Sequence, residues 1–447
     1  MNPFAEAAAT LEHCEPMRVS GRVSTLRGMT LLVDDLPAQV GARVEIRSRG
    51  GARHAEVVGF EGRRTIVMML GSASGVRPGD AAIVREETPT VRVGAGMLGR
   101  IVDGLGRPID GKGPIVRTTP RLLHPQPLGA MRRRRINEAL PTGVRAIDLM
   151  TTIGRGQRMG VFAGPGVGKS TLLGMLARGA SADVSVIALI GERGREVREF
   201  IDDALGEEGL ARSIVVVATS DEAPLMRMRA AAVACAAAEH FRDQGLDALL
   251  MIDSVTRFAH AQRQIGLAAG EPPTTKGYTP SVFSMLPAML ERAGAVEGPR
   301  GGSVTGMYTI LVEGDDMTEP IADAARGILD GHIILARRLA NRGHFPAVDV
   351  LDSISRVADH LCPKEHIDAR RMLRRLLAAY DETEELIRIG AYARGSDPVT
   401  DVAIDFRDRI DAVLQQSTRE ATPLQDSVTA LVGLMSEAAP RLAERTA

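Results

Sequence analysis

The chain has no tryptophan, and its 447 residues include only four tyrosines and nine phenylalanines. Before residue 100 the aromatic side chains are Phe4 and Phe60 alone. A module that stacks nucleic-acid bases needs exposed aromatic faces, so the first hundred residues offer no such platform. Cysteine is equally scarce: Cys14, Cys235 and Cys362 are odd in number and far apart. That spacing excludes a disulfide framework or a zinc cluster and points to a reduced, cytosolic chain whose thiols are packing residues. No apolar run approaches the ~20 residues that would cross a bilayer. The opening MNPFAEAAATLEHCEP is acidic and lacks the basic-then-apolar order of a secretory leader. An excess of one charge is missing too. With 55 Lys and Arg against 56 Asp and Glu, the net charge is −1, and no global field gathers nucleic acid or anionic lipid.

What is present is an ordinary globular composition, 44% apolar and 25% charged, in a chain too long for one core. Residues 1–16 carry Phe4, Ala8 and Leu11 at helical spacing and read as a short amphipathic helix or a frayed terminus. From Met17 to about Val84, short β-like runs such as TLLV, ARVEIRSR and TIVMML are separated by Gly, Asp and Pro, the pattern of a small barrel or sandwich. Residues 94–140 are rich in loop formers and read as a linker, with one dense basic run, RRRR at 132–135. Such a run is a solvated face, an intersubunit ion-pair donor or a polyanion site. From residue 143 the pattern alternates strand and helix: MGVFAG, VSVIALIG, SIVVVAT and DALLMIDS are apolar strands between helical segments. Continuous apolar strands between helices predict a parallel sheet covered on both faces. After about residue 357 amphipathic helices dominate, among them IDARRMLRRLLAAYDETEELI.

The chemistry is concentrated in residues 164–171, GPGVGKST, between a predicted strand and a predicted helix. Gly164, Pro165, Gly166, Val167 and Gly168 form a loop whose backbone N–H groups can close around phosphate oxygens, and the helix that follows adds its dipole. Lys169 reaches the β- and γ-phosphates of ATP, Ser170 ligates Mg2+, and Thr171, the next residue, is counted with the nucleotide-binding set. The first position of the GxxxxGK[ST] motif is Ala163 rather than glycine, the smallest departure available. Asp253 follows the apolar run LLMI and sits at a predicted strand end, placed to hold the metal, often through water. Glu192 follows VSVIALIG at the same sheet edge, where a carboxylate can orient the attacking water. Taken singly, Asp253 and Glu192 each fit a helix cap as well.

Beyond the loop, ALIGERGREVREF, DSVTRFAHAQRQIGLAAGEPPTTKGYTPSVF, LVEGDDMTEPIADAARGILDGHI and FPAVDVLDSISR closely resemble the type III protein export ATPases of bacterial flagella and injectisomes. These are relatives of the rotary ATP synthase β subunit. The resemblance runs from about residue 19 to the C-terminal helices. It implies a small β-barrel (17–92), a central α/β RecA-like P-loop ATPase domain with a mostly parallel sheet (93–356) and a C-terminal α-helical domain (357–447). It implies ATP and Mg2+ as cofactors, and it sharpens individual roles. Glu192 matches the glutamate that polarises the lytic water, Arg193 and Arg257 match phosphate-contacting arginines, and Glu196 matches a carboxylate that orders the metal shell. Phe345 matches the aromatic packed on adenine, and Arg356 the arginine finger that reaches a neighbour's site in a homohexamer. The implied partners are a stator-like negative regulator binding 1–16, an export gate, a central stalk protein and chaperone–substrate complexes, with no nucleic acid. The implied location is the cytoplasm, peripheral at the membrane through the export apparatus. The loop at 266–280 is expected to face the ring channel, with Glu271 and Lys276 as contacts. LPAMLERAG, DPVTDVAIDF and LIRIGAYARGS resemble the flagellar branch more than the injectisome branch.

Three other readings stand beside this one. A rotary synthase β subunit typically carries GGAGVGKT and an acidic C-terminal coupling motif that DETEEL, at 381–386, does not reproduce. An RNA-translocating terminator-type hexamer needs stacking aromatics and a basic groove in its N-domain. A scaffold with a dead site would not need Lys169, Glu192, Asp253 and Arg356 together.

Overall fold

In the computed structural model, residues 19–298, 301–312, 314 and 316–446 are described. The helix expected within 1–16, and Cys14, lie outside them. Six strands form a closed barrel: β1 (Ser20–Arg27), β2 (Thr30–Asp34), β3 (Arg43–Ser48), β4 (Gly51–Glu61), β5 (Arg64–Met69) and β6 (Ala81–Glu86), in the order β1-β2-β5-β4-β3-β6. Alternating residues such as Val44, Ile46, Val67 and Leu31 fill its interior at no exposure. Register shifts between Val23 and Thr25 and between Val57 and Gly59 supply bulges, which bend strands enough for a small sheet to close. At Gly21 a Cβ would sit 2.3 Å from the Asp34 carbonyl oxygen, so β1 and β2 approach here only because the residue is glycine.

The region read as a linker contributes more than loop. Strands β7 (Thr90–Val93) and β9 (Thr119–Leu122) pair antiparallel, and β8 (Arg100–Asp103) pairs parallel with β12 (Ser213–Ala218) as an edge of the central sheet. Its short apolar stretch, RIVD, sits among glycines and prolines, so composition hid it. Arg133 of the basic run is not a free cation. Its guanidinium donates to the carbonyls of Ala293 (2.9 Å) and Glu291 (2.6 Å) and pairs with the Glu291 carboxylate. Arg132 and Arg135 are exposed.

The central sheet adds β10 (Arg158–Ala163), β11 (Val184–Ile190), β13 (Asp247–Asp253), β14 (Gly294–Ala295), β15 (Ser303–Leu311), β16 (Gly331–Leu335) and β17 (Val348–Ser355). Its order is β17-β16-β10-β15-β13-β11-β12-β8, and every pairing along it is parallel except β16 with β17. The apolar runs are continuous because both faces are covered. Along β11, Val184, Val186, Ala188 and Ile190 join the core under helix Pro224–Arg242, while Ile187 and Leu189 join the core on the other face. That second core takes in helix Lys169–Gly179 and the C-terminal helices Lys364–Arg388, Pro398–Leu414 and Leu424–Thr446, through residues such as Leu373, Phe406 and Leu431. Each such fully buried side chain contributes about 1.5–3 kcal/mol, so the helical end of the chain is packed onto the nucleotide-side face. Among the described residues no helix is long and apolar enough to cross a membrane. Cys235 is buried in its helix, where burial pushes the thiol up to about 11, and the Cys362 thiol contacts the Thr152 hydroxyl at 3.3 Å.

Candidate active site

Strands β10, β13 and β11, with β15 between the first two, deliver the site to one sheet edge. Strand β10 ends at Ala163 and the loop 164–168 leads into the helix at Lys169. Gly166 and Gly168 have φ of 76° and 95°, left-handed conformations that a side chain rarely adopts, so glycine at these positions sets the loop's path. Val167 points into the core at 1% exposure and anchors the loop, while Pro165, Gly166, Ser170 and Thr171 are exposed. Strand β11 runs out at Ile190 into Gly191 and Glu192, and β13 ends on Asp253, which pairs in register with Leu189.

These ends converge on one cation. The Lys169 Nζ lies 2.5 Å from Asp253 Oδ1 and 3.2 Å from Glu192 Oε1. Burial alone pushes the Lys169 ammonium down, but the two carboxylates hold it above its ordinary value. Burial pushes the Glu192 carboxyl up; Lys169 opposes the shift, while Asp253 and a hydrogen bond to Glu196 reinforce it. Burial also raises Glu196, but bonds from Glu192 and from Arg193, whose Nη1 donates to Glu196 Oε1 at 2.8 Å, bring it below its ordinary value. Two neighbouring carboxyls, one before the helix Gly194–Glu199 and one in its first turn, are thereby driven in opposite directions, the arrangement in which one group holds a proton or a water while the other stays charged.

The remaining predicted residues divide. The aliphatic stem of Arg257 packs on Gly191, where a Cβ would meet it at 3.0 Å, and its buried Nε has no hydrogen-bond partner among the described residues. Phe345 is 45% exposed, and its ring lies 3.9 Å from where a Cβ on Gly168 would stand, so it flanks the loop directly. Arg356 is elsewhere. Strand β17 runs from Val348, opposite Leu335, to Ser355, opposite Gly331, and those partners align with Ala163 and Met159 of β10. The Arg356 N–H donates to the Asp330 carbonyl, level with Arg158 of β10, so at ~3.3 Å per residue it lies roughly 16 Å along the sheet from the start of its own loop, beyond the reach of its side chain. It is exposed there. The Glu271 carboxylate accepts from the Ser281 N–H at 3.0 Å, at the start of helix Pro280–Leu290. Sequence reading missed Thr309, whose hydroxyl donates to Asp253 Oδ1 at 2.7 Å across two strands.

Among the described residues no three His, Cys, Asp or Glu side chains gather into a metal cage. An exposed hydroxyl, Ser170, and a buried carboxylate, Asp253 at 2% exposure, suit instead a hard cation that arrives with phosphate and keeps most of its waters, as Mg2+ does.

Residues 143–355 match the ATP synthase alpha/beta family, nucleotide-binding domain, and residues 362–433 match the T3SS EscN ATPase C-terminal domain. The chain is 50% identical over 427 residues to the flagellum-specific ATP synthase of Bacillus subtilis (strain 168), covering 95% of this chain and 97% of that one. The chain belongs to the type III export ATPase family. This ATPase is also 49% identical over 420 residues to the type 3 secretion system ATPase of Xanthomonas euvesicatoria, covering 94% of each chain. Its fold superposes on the assembled ATPase EscN of the enteropathogenic E. coli type III secretion system with a TM-score of 0.87 at 43% identity, covering 93% of this chain and 99% of that one. On EscN in complex with its central stalk EscO the TM-score is 0.85, with the same identity and coverage.

Proposed function

We propose that this ATPase hydrolyses Mg-ATP between adjacent copies of the chain in a homohexameric ring and energises the flagellar branch of type III protein export. The observation that carries this reading is the placement of Arg356. It is exposed at the sheet edge opposite its own phosphate loop, and a guanidinium so placed serves a neighbour's site or none. Relatives solved as an assembled ATPase, one of them with a central stalk, support the same reading.

In this reading the loop N–H groups and Lys169 bind the phosphates, Ser170 and Asp253 hold the metal, and Glu196 orders its shell. Magnesium, when bound with ATP, neutralises phosphate charge. Thr309 and Lys169 fix the orientation of Asp253. Glu192 positions the water for in-line attack, and its raised proton affinity suits it to take a proton as the nucleophile forms. Arg193, Arg257 and the Arg356 of the adjacent copy stabilise the developing negative charge. Phe345 packs on the purine. Product release then alters the interface between copies, and the ring uses that change to release chaperones and unfold substrates at an export gate, peripheral to the cytoplasmic membrane. The motifs at 286–294, 386–396 and 397–406 favour the flagellar branch. In a strain lacking this ATPase, the wild-type chain should restore flagellin export and swimming, and Glu192→Gln should not. Restoration of injectisome secretion without motility would move the chain to the other branch.

A further inference from the structure

The segment between helices Pro398–Leu414 and Leu424–Thr446 has no regular structure over 415–423, so its backbone carbonyls have no ladder to join and must find donors elsewhere. Arg145, at the start of the short helix Arg145–Met150 in the nucleotide-binding core, grips both ends of the segment. Its Nε donates to the Val413 carbonyl at 3.0 Å and its Nη2 to the Gln415 carbonyl. Its Nη1 pairs with the Glu420 carboxylate and donates to the Thr422 hydroxyl at 3.3 Å. Its own backbone N–H donates to Gln416 Oε1 at 2.8 Å. One planar fork thus spans four partners in a fixed geometry, which the single ammonium of lysine cannot reproduce.

The clamped segment leads directly to the nucleotide site. Gln416 is 6% exposed, its side chain donates to the Gly143 carbonyl at 2.7 Å, and its backbone N–H donates to the Phe345 carbonyl at 2.9 Å. The Phe345 ring flanks Gly168 of the phosphate loop. Arg178, in the last turn of the helix that the loop opens, holds the same segment through the Thr418 carbonyl at 2.5 Å.

We propose that Arg145 is a positioning residue for the purine end of the site: by clamping residues 413–422 it fixes, through Gln416, where the Phe345 ring stands. This rests on the reading of Phe345 as the adenine platform, and the test separates the two. Steady-state ATPase is measured on the full chain at one protein concentration high enough for assembly. The proteins are wild type, Arg145→Ala, Arg145→Lys, Phe345→Ala and the double variant Arg145→Ala with Phe345→Ala. Loss of an aromatic platform should raise KM for ATP about tenfold in Phe345→Ala. Arg145→Ala should raise it several-fold with kcat within about twofold, and in the double variant KM should be no higher than in Phe345→Ala alone, as expected of residues acting through one contact. Arg145→Lys, which keeps the charge beside Glu420, should fall between wild type and Arg145→Ala and serves in its place should the alanine variant not fold. A merely structural role would lower kcat, through the active fraction, at unchanged KM, and that result overturns the proposal. So does a KM in the double variant that multiplies both single effects. An unchanged KM in Phe345→Ala would instead overturn the platform reading itself.

Discussion

Lys169 is held by two carboxylates, and removing it leaves Asp253 and Glu192 facing one another with no cation between them. Lys169→Ala should therefore lose ATP binding along with hydrolysis, since both the phosphate contact and the order of the metal carboxylate go. Glu192→Gln keeps the shape and removes the base. It should bind ATP with near wild-type affinity while turnover falls by a factor of ~100 or more; equilibrium binding beside single-turnover hydrolysis distinguishes the two variants. The pH profile carries a sign. Burial raises the Glu192 carboxyl above its ordinary 4.5, and only the ionised form can accept a proton. As pH falls through that raised value the working form is lost, so kcat should fall on the acid side with an apparent pKa above 4.5. A kcat flat down to that value in protein that is still folded would remove Glu192 from the role.

At the level of elements, the phosphate loop, β10, β11 and β13 were legible because each is a local pattern: an apolar run, a glycine loop, a lysine opening a helix. Glu192 and Asp253 followed from knowing which strand ends share an edge. What was not legible depends on pairings between distant residues. Thr309 reaches Asp253 from another strand, β8 joins β12 from within a glycine-rich stretch, and Arg145 holds a segment some 270 residues away. No spacing in the sequence announces such contacts. Helix Lys169–Gly179 shows the same point. A Cβ on its Gly174 would lie 2.5 Å from the Ala204 carbonyl oxygen. Glycine permits the helix to pack against the π-turn at Phe200–Leu205, whose Phe200, Ile201 and Leu205 are buried as the apolar spacing predicts. Gly174→Ala should destabilise the chain by about 1–3 kcal/mol through overpacking, seen as a lower midpoint of thermal unfolding. An unchanged midpoint would mean the two elements separate freely.

For the whole molecule, the proposed ring has Arg356, exposed away from its own phosphate loop, serve the site of the adjacent copy. The proposal that each copy completes the next accords with a relative solved as an assembled ATPase. The account stands on that exchange, and mixing two inactive variants tests it. Lys169→Ala has no working loop but keeps Arg356; Arg356→Ala has a working loop but no finger to lend. Alone, each should bind into rings and hydrolyse almost nothing. Mixed in equal amounts and reassembled, about one interface in four should join an intact loop to an intact finger, given a head-to-tail ring. ATPase activity should then rise to roughly a quarter of wild type if interfaces fire independently. No activity above the two variants measured separately, in mixtures shown to share rings, would contradict the account.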